Sequence, residues 1–340
     1  MKKPTDFSYL LSNFLTKFLP SERGLSHNTI SSYRDTFILL LKYFKEVRVV
    51  KPEHVALASL DRQTVSSFLD WLENARLVSA RTRNQRLAAI HSFFRYVQEE
   101  DPSFLHECQK ILAIPFKKTL GRSIAYLSLE AVKAILAQPE TTTPEGRRDV
   151  VMLSLMYDTG GRVQEIIDLK VRDIRTDAPA TIRLTGKGNK TRIVPLMRPT
   201  ANLVRLYIQE NSLFTSDKQT APLFTNRMIH VLTRAGVTYI LNKYVVAALK
   251  VTQESLPDKI SPHVFRHSKA MHLLQAGVNL VYIRDILGHV DLRTTEIYAR
   301  IDGKMKREAL EKAFDPEATP VISSWQQDKS LLAWLRSFDK

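Results

Sequence analysis

The chain has 340 residues, which favours two domains of ordinary size over one. Lys and Arg number 50 against 35 Asp and Glu, and the formal net charge of +15 points to a polyanionic partner. Ribosome-bound, RNA-binding and membrane-surface proteins share such an excess. The single cysteine, Cys108, excludes an intramolecular disulfide and a cysteine-based zinc site, and points to the cytosol. The segment that follows Met1-Lys2-Lys3 has no apolar run of the signal-peptide kind, and nowhere does an apolar run approach the ~20 residues of a membrane helix.

In chain order, residues 1–112 read as a helical domain. Ser26 is a good N-cap for a helix whose Ile30, Tyr33, Phe37, Leu40, Leu41 and Phe44 keep helical spacing. Asp61 caps a second helix with the stripe Val65, Phe68, Leu69 and Leu72, and Ser79 a third with Leu87, Ile90 and Phe94 inside. Arg81, Arg83, Arg86 and Arg95 of that third helix form either a solvated basic face or a face laid into a DNA groove, with guanidiniums on phosphates and base edges. Residues 113–126 have helix breakers and little periodicity, and read as a basic linker. Its Lys117, Lys118 and Arg122 suit a phosphate backbone, or merely a soluble hinge.

The second domain is expected over residues 127–314. Ser128 caps its first helix, and an apolar helix from about Arg148 to Thr159 leads into a Gly160-Gly161-Arg162 turn. Thr181–Leu184 and Arg192–Leu196 are strand-like and enclose a turn-rich stretch, a β-hairpin tipped with Lys187 and Lys190. The rest is helical by pattern, including Lys304 to Phe314. The fold class is therefore mainly α with a small β-hairpin or sheet in the second domain. The tail, residues 315–340, places Leu331, Leu332, Trp334, Leu335 and Phe338 in one helix-like apolar cluster. Such a stripe either folds back on its own domain or anchors a neighbouring protomer.

Several residue types here suit attack on a phosphodiester without a metal. Its negative charge must be neutralised, a nucleophile supplied, and the leaving oxygen protonated. Arginine forks suit the first task, tyrosine can be a covalent nucleophile, and lysine and histidine can move protons. Each piece alone has a plain alternative: a packed tyrosine, a satisfied core histidine, a metal-binding histidine pair, a turn lysine. Gly186-Lys187-Gly188 lacks the Gly-Lys-Ser/Thr ending of a nucleotide-binding loop and leads into a strand, so that motif is rejected.

Order and spacing narrow the choice. Thr159-Gly160-Gly161-Arg162-Val163-Gln164-Glu165 comes first. Gly186-Lys187-Gly188-Asn189-Lys190-Thr191-Arg192 follows, with Val194-Pro195-Leu196. His263-Val264-Phe265-Arg266-His267 is next, and Leu287-Gly288-His289 then leads through Thr294-Thr295 to Tyr298. With Leu25-Ser26-His27-Asn28-Thr29-Ile30 and Tyr33 near the start, the chain resembles the tyrosine recombinase (phage-type integrase) family over about residues 8 to 312. The resemblance implies a two-domain DNA clamp: a helical, SAM-like core-binding domain and an α+β catalytic domain. It also implies strand cleavage and rejoining through a 3′-phosphotyrosyl bond, and exchange through a Holliday junction by a tetramer on two double-stranded DNA sites.

By the same resemblance Arg162 and Arg266 clamp the scissile phosphate and Tyr298 attacks it. Lys187 protonates the 5′ oxygen, His263 serves the tyrosine in acid–base work, and His289 donates to the phosphate. Glu165 holds or orients Arg162, His267 next to Arg266 is a supporting residue and not a catalytic one, and Lys190 contacts DNA. No metal or cofactor is implied. A partner recombinase and a cytoplasmic, bacterial nucleoid-associated location fit the family. Gly161 stands where the family often has a larger apolar residue, and Phe265 where leucine is usual. The competing readings are a type IB topoisomerase-like DNA-relaxing enzyme and a catalytically silent DNA-binding protein. A metal nuclease is disfavoured by the lack of a dense carboxylate–histidine cluster.

Overall fold

The computed structural model describes residues 5–119, 125–252, 256, 260–289, 291–301, 330 and 335–336, without the side chains of Lys187, Arg293, Ala299, Arg300 and Ile301. It divides into two compact units, Met1–Arg122 and Ser123–Lys340. Arg122, the expected helix from Lys304 to Phe314 and nearly all of the tail from 315 lie outside the described residues.

In the first unit, α1 (Asp6–Asn13) runs on into a wider π-helical stretch, Phe14–Glu22, and is followed by α2 (His27–Glu46), α3 (Arg62–Asn74), α4 (Ala80–Glu100) and α5 (Leu105–Leu112). The expected caps form locally. Asp61 accepts from the Thr64 amide at 2.7 Å and Ser79 from the Thr82 amide at 3.3 Å, each satisfying an amide that the helix leaves open. At α2 the Ser26 hydroxyl instead meets the Thr29 hydroxyl at 3.0 Å. The apolar stripes turn inward onto an aromatic core, where Phe14 and Phe37 meet Phe93 edge-on, with ring centroids 5.4 and 5.1 Å apart.

The second unit contains α6 (Leu129–Leu136), α7 (Pro144–Thr159), α8 (Val163–Ile167), α9 (Arg198–Glu210), α10 (Arg234–Leu249), α11 (Pro262–Gln275), α12 (Leu280–Leu287) and α13 (Arg293–Ile301). Between α8 and α9 lies an antiparallel sheet in the order β1 (Ile174–Arg175), β2 (Thr181–Thr185), β3 (Thr191–Pro195). Ile182 pairs with Val194 and Leu184 with Arg192, so the buried Ile182, Leu184 and Val194 reach the core while the turn Lys187–Asn189 projects from the far end. Phe265 is buried on α11 and makes an edge-on contact with Tyr157 of α7. A bulkier residue than leucine is thus accommodated at that position by packing.

Candidate active site

The site begins where α7 stops. Gly160 takes the left-handed conformation at its C-cap (φ 57°), and a β-carbon there would lie 2.6 Å from Leu287 Cδ2. The chain then enters α8, with Arg162 as its N-cap residue. The Glu165 side chain reaches back to the Arg162 amide at 2.9 Å and to its Nη1 at 2.7 Å. A β-carbon on Gly161 would come within 2.9 Å of Ile166 Cδ1, so the small residue there answers to local packing.

The last carbonyls of a helix have no partner within the helix and carry its negative dipole end. At the end of α12, three successive carbonyls each accept from a different arginine. Ile286 accepts from Arg192 Nε at 2.7 Å, Leu287 from Arg266 Nη2 at 2.6 Å, and Gly288 from Arg162 Nη2 at 3.2 Å. Arg266 also donates to the Gly160 carbonyl at 2.7 Å, and Arg192 grips both oxygens of Glu165 at 3.0 and 2.8 Å. Three guanidiniums against one carboxylate leave two positive charges on this cluster. Burial pushes the Glu165 carboxyl upward, but Arg192 and then Arg162 outweigh it and hold it at about 2. Burial, with Arg162 and Arg192 nearby, pushes Arg266 down to about 9, which leaves it charged at neutral pH.

The histidines and the tyrosine close the site. His289 Nδ1 lies 2.9 Å from the hydroxyl of Thr295, which is wholly buried. Tyr298, on α13, is 1 % exposed, and its hydroxyl sits 2.8 Å from Nδ1 of His267, not of His263. The two histidines are one turn apart on α11, with ring centroids 6.4 Å apart. The Tyr298 ring lies parallel to that of His289 at 6.5 Å. Desolvation, reinforced by neighbouring charges, brings His267 and His289 down to about 4, so both are neutral at pH 7. Desolvation and the nearby Arg266, Arg162 and Arg234 also lower His263, although it still meets solvent. Burial raises the Tyr298 phenol against an opposing pull from Arg266. An open cavity of about 270 Å³ faces solvent between Arg162, Arg192, Lys190, Thr191, Gly288 and His289.

The structure thus brings together Arg162, Glu165, Arg266, His263, His267, His289 and Tyr298, with Lys190 at the cavity edge. For Lys187 only the backbone is described, in the hairpin turn. Arg192 and Thr295 stand within the sequence motifs, which gave neither of them a role. A basic residue in a strand that also carries core residues was the available signal for Arg192. The basic face of α4 is corrected in part. Arg81 and Arg95 are exposed, but Arg83 is buried against Glu73 at 3.5 Å, and its Nε and Nη1 find no hydrogen-bond partner among the described residues. Arg86 turns inward to the Ser32 carbonyl at 3.0 Å. The start of the expected linker is held to the first unit. Ile114 is in its core, Asn84 bonds the backbone of Lys117 in both directions, and Lys117 Nζ meets Glu73 at 2.5 Å. Lys118 is exposed.

Residues 125–305 match the phage integrase family, and residues 13–101 match the phage integrase N-terminal SAM-like domain. The chain therefore belongs to the phage integrase family, the tyrosine recombinases, which are enzymes that cleave and rejoin DNA in site-specific recombination. It is 38% identical over 338 residues to the Sinorhizobium fredii (strain NBRC 101917 / NGR234) protein y4rC, named as an integrase/recombinase, covering 99% of this chain and 100% of that one. It is 32% identical over 317 residues to the tyrosine recombinase XerD of Listeria monocytogenes serotype 4b (strain F2365), covering 91% of this chain and 99% of the other. In fold it is similar to the XerH site-specific recombinase bound to a palindromic difH substrate, with a TM-score of 0.66 and 23% identity over 88% of this chain and 84% of that one.

Proposed function

We propose that this protein recombines DNA at a specific site through a covalent intermediate on Tyr298. The phenol oxygen attacks the scissile phosphorus and the bond to the 5′ oxygen breaks, which leaves a 3′-phosphotyrosyl and a free 5′ hydroxyl. One phosphorus–oxygen bond replaces another, so a 5′ hydroxyl from a second duplex can reverse the step. Two such rounds exchange strands through a Holliday junction. Arg162 and Arg266 neutralise the non-bridging oxygens, and the charge that develops on them is met by guanidiniums already held in place by the end of α12. His289 donates from Nε2 in the tautomer whose Nδ1 accepts from Thr295. Neutral His267 accepts the phenol proton, with His263 next to it on the same helix face. Lys187 delivers a proton to the leaving oxygen. Because Tyr298 is 1 % exposed, α13 must shift before its hydroxyl meets DNA.

The observation that carries this reading is the convergence of two arginines, a neutral histidine and a histidine-held tyrosine on the end of α12. The duplex lies across exposed basic residues, Arg81, Arg95, Lys118 and Lys190. The helical domain and the catalytic domain act as a DNA clamp, and four protomers on two sites form the working assembly.

The test is adduct trapping. Wild type and Tyr298→Phe are incubated with fragmented DNA from around the gene, denatured, and the protein-linked ends sequenced. Adducts at one short motif with wild type alone support the proposal. Adducts scattered over all sequences point to topoisomerase-like relaxation, and adducts that persist in Tyr298→Phe remove Tyr298 as nucleophile.

A further inference from the structure

We infer that Arg192 is a positioning residue of this site: its pairing with Glu165 leaves the charge of Arg162 to the scissile phosphate. The inference rests on the recombinase reading above. Glu165 is 3 % exposed, and a carboxylate so deeply placed stays ionised only with a full set of donors. Among the described residues it has four: two from the Arg192 fork, one from Arg162 Nη1 and one from the Arg162 amide. The fork matches both oxygens at once, the strongest geometry such a pair can adopt.

The side chains differ in exposure in the way this division of labour requires. That of Arg192 is 12 % exposed and that of Arg162 35 %. Arg192 is the inner counter-ion, and Arg162 keeps donors turned to the cavity. Without Arg192, Arg162 becomes the one cation left on this buried carboxylate among the described residues. Its fork is then drawn onto Glu165 and away from the phosphate.

A second observation ties the same residue to the hairpin. Arg192 lies on β3 opposite Leu184, close to the turn that carries Lys187, and its Nε bonds the Ile286 carbonyl at 2.7 Å. The backbone at Gly288 makes room for it, since a β-carbon there would come within 2.8 Å of Arg192 Nη1. One guanidinium thus links the lysine hairpin, the helix that orients Arg162, and the loop that carries His289.

Trapped-adduct formation is measured in single turnover for the full chain, on the site that trapping identifies, with DNA affinity and melting temperature recorded for each variant. Arg192→Gln is expected to slow adduct formation ~10- to 100-fold, the range set by loss of hydrogen bonds to a charged group. Its DNA affinity should hold. The double variant Glu165→Gln/Arg192→Gln should regain ~10-fold over Arg192→Gln, because no carboxylate then competes for Arg162. A purely structural role would make the double variant no faster than the single, and that result overturns the inference, as does a wild-type rate in Arg192→Gln. Should Arg192→Gln not fold, Arg192→Lys decides. It keeps the charge without the fork, and a rate within ~10-fold of wild type supports the inference whereas a loss as deep as that of Arg162→Ala sinks it. Tyr298→Phe separates the two claims. Adducts from wild type and not from Tyr298→Phe, with no effect of Arg192, remove this inference alone. No adduct from wild type removes the recombinase reading as well.

Discussion

Glu165→Gln removes the charge from a side chain that accepts four hydrogen bonds while keeping its shape. The amide nitrogen must then face guanidinium donors, and Arg192 keeps the Ile286 carbonyl and only one of its two hydrogen bonds to residue 165. The folded carboxyl titrates at about 2 against an ordinary 4.5. At ~1.4 kcal/mol per pH unit that difference contributes ~3 kcal/mol of stability at pH 7, in line with the ~3–5 kcal/mol for breaking a buried ion pair. The sign follows from a depressed carboxyl: the contribution is complete above 4.5 and is lost as pH falls towards 2, so that ~1 kcal/mol remains at pH 3. For a unit of this size the variant should melt ~6–12 °C below wild type at pH 7. Calorimetry of the full chain at pH 7 and pH 3, following the transition of the second unit, measures both differences. A gap of under ~2 °C at pH 7, or one that does not shrink at pH 3, would refute the reasoning.

Arg266→Ala should cut adduct formation by at least ~100-fold and lower stability by ~2–4 kcal/mol, since the Gly160 and Leu287 carbonyls lose their partner; single-turnover trapping and melting curves check the two effects. His267 and His289 sit at about 4 when folded against an ordinary 6.5, so stability they confer is full above 6.5 and lost as pH falls towards 4. In melting curves over that window, His267→Gln should flatten the slope, and a slope equal to wild type would count against a buried neutral His267. On α4, Arg81→Ala and Arg95→Ala should each reduce the slope of log affinity against log salt by ~1. Arg83→Met should leave that slope unchanged, because its guanidinium is buried; a reduction equal to that of Arg81→Ala would contradict the assignment.

Much of this protein was legible because its signals are local. A cap lies within three residues of the amide it satisfies, so Asp61, Ser79 and Ser128 announce α3, α4 and α6. The hairpin was legible from two strand-like runs around a turn; the first observed strand, 181–185, runs one residue past the expected end, and the second, 191–195, begins and ends one residue earlier than expected. Arg83 was misplaced although the spacing was available: it precedes Leu87 and Ile90 by four and seven positions, on the same stripe, whereas Arg81 and Arg95 lie on the opposite face.

The sequence by itself determined the helical periods, the hairpin and the ordered set of arginines, lysine, histidines and tyrosine, because each depends on neighbours a few residues apart. Only the tertiary structure decided what those residues touch. His263 and His267 share one face of α11, so spacing treats them alike, and the position of α13 gives the Tyr298 hydroxyl to His267. Arg192 looks like any strand arginine until α12 brings the Ile286 carbonyl and α8 brings Glu165 to its guanidinium. Three arginines far apart in the chain meet at the end of one short helix because that end presents three open carbonyls and a negative dipole, a demand visible only once the chain has folded around it.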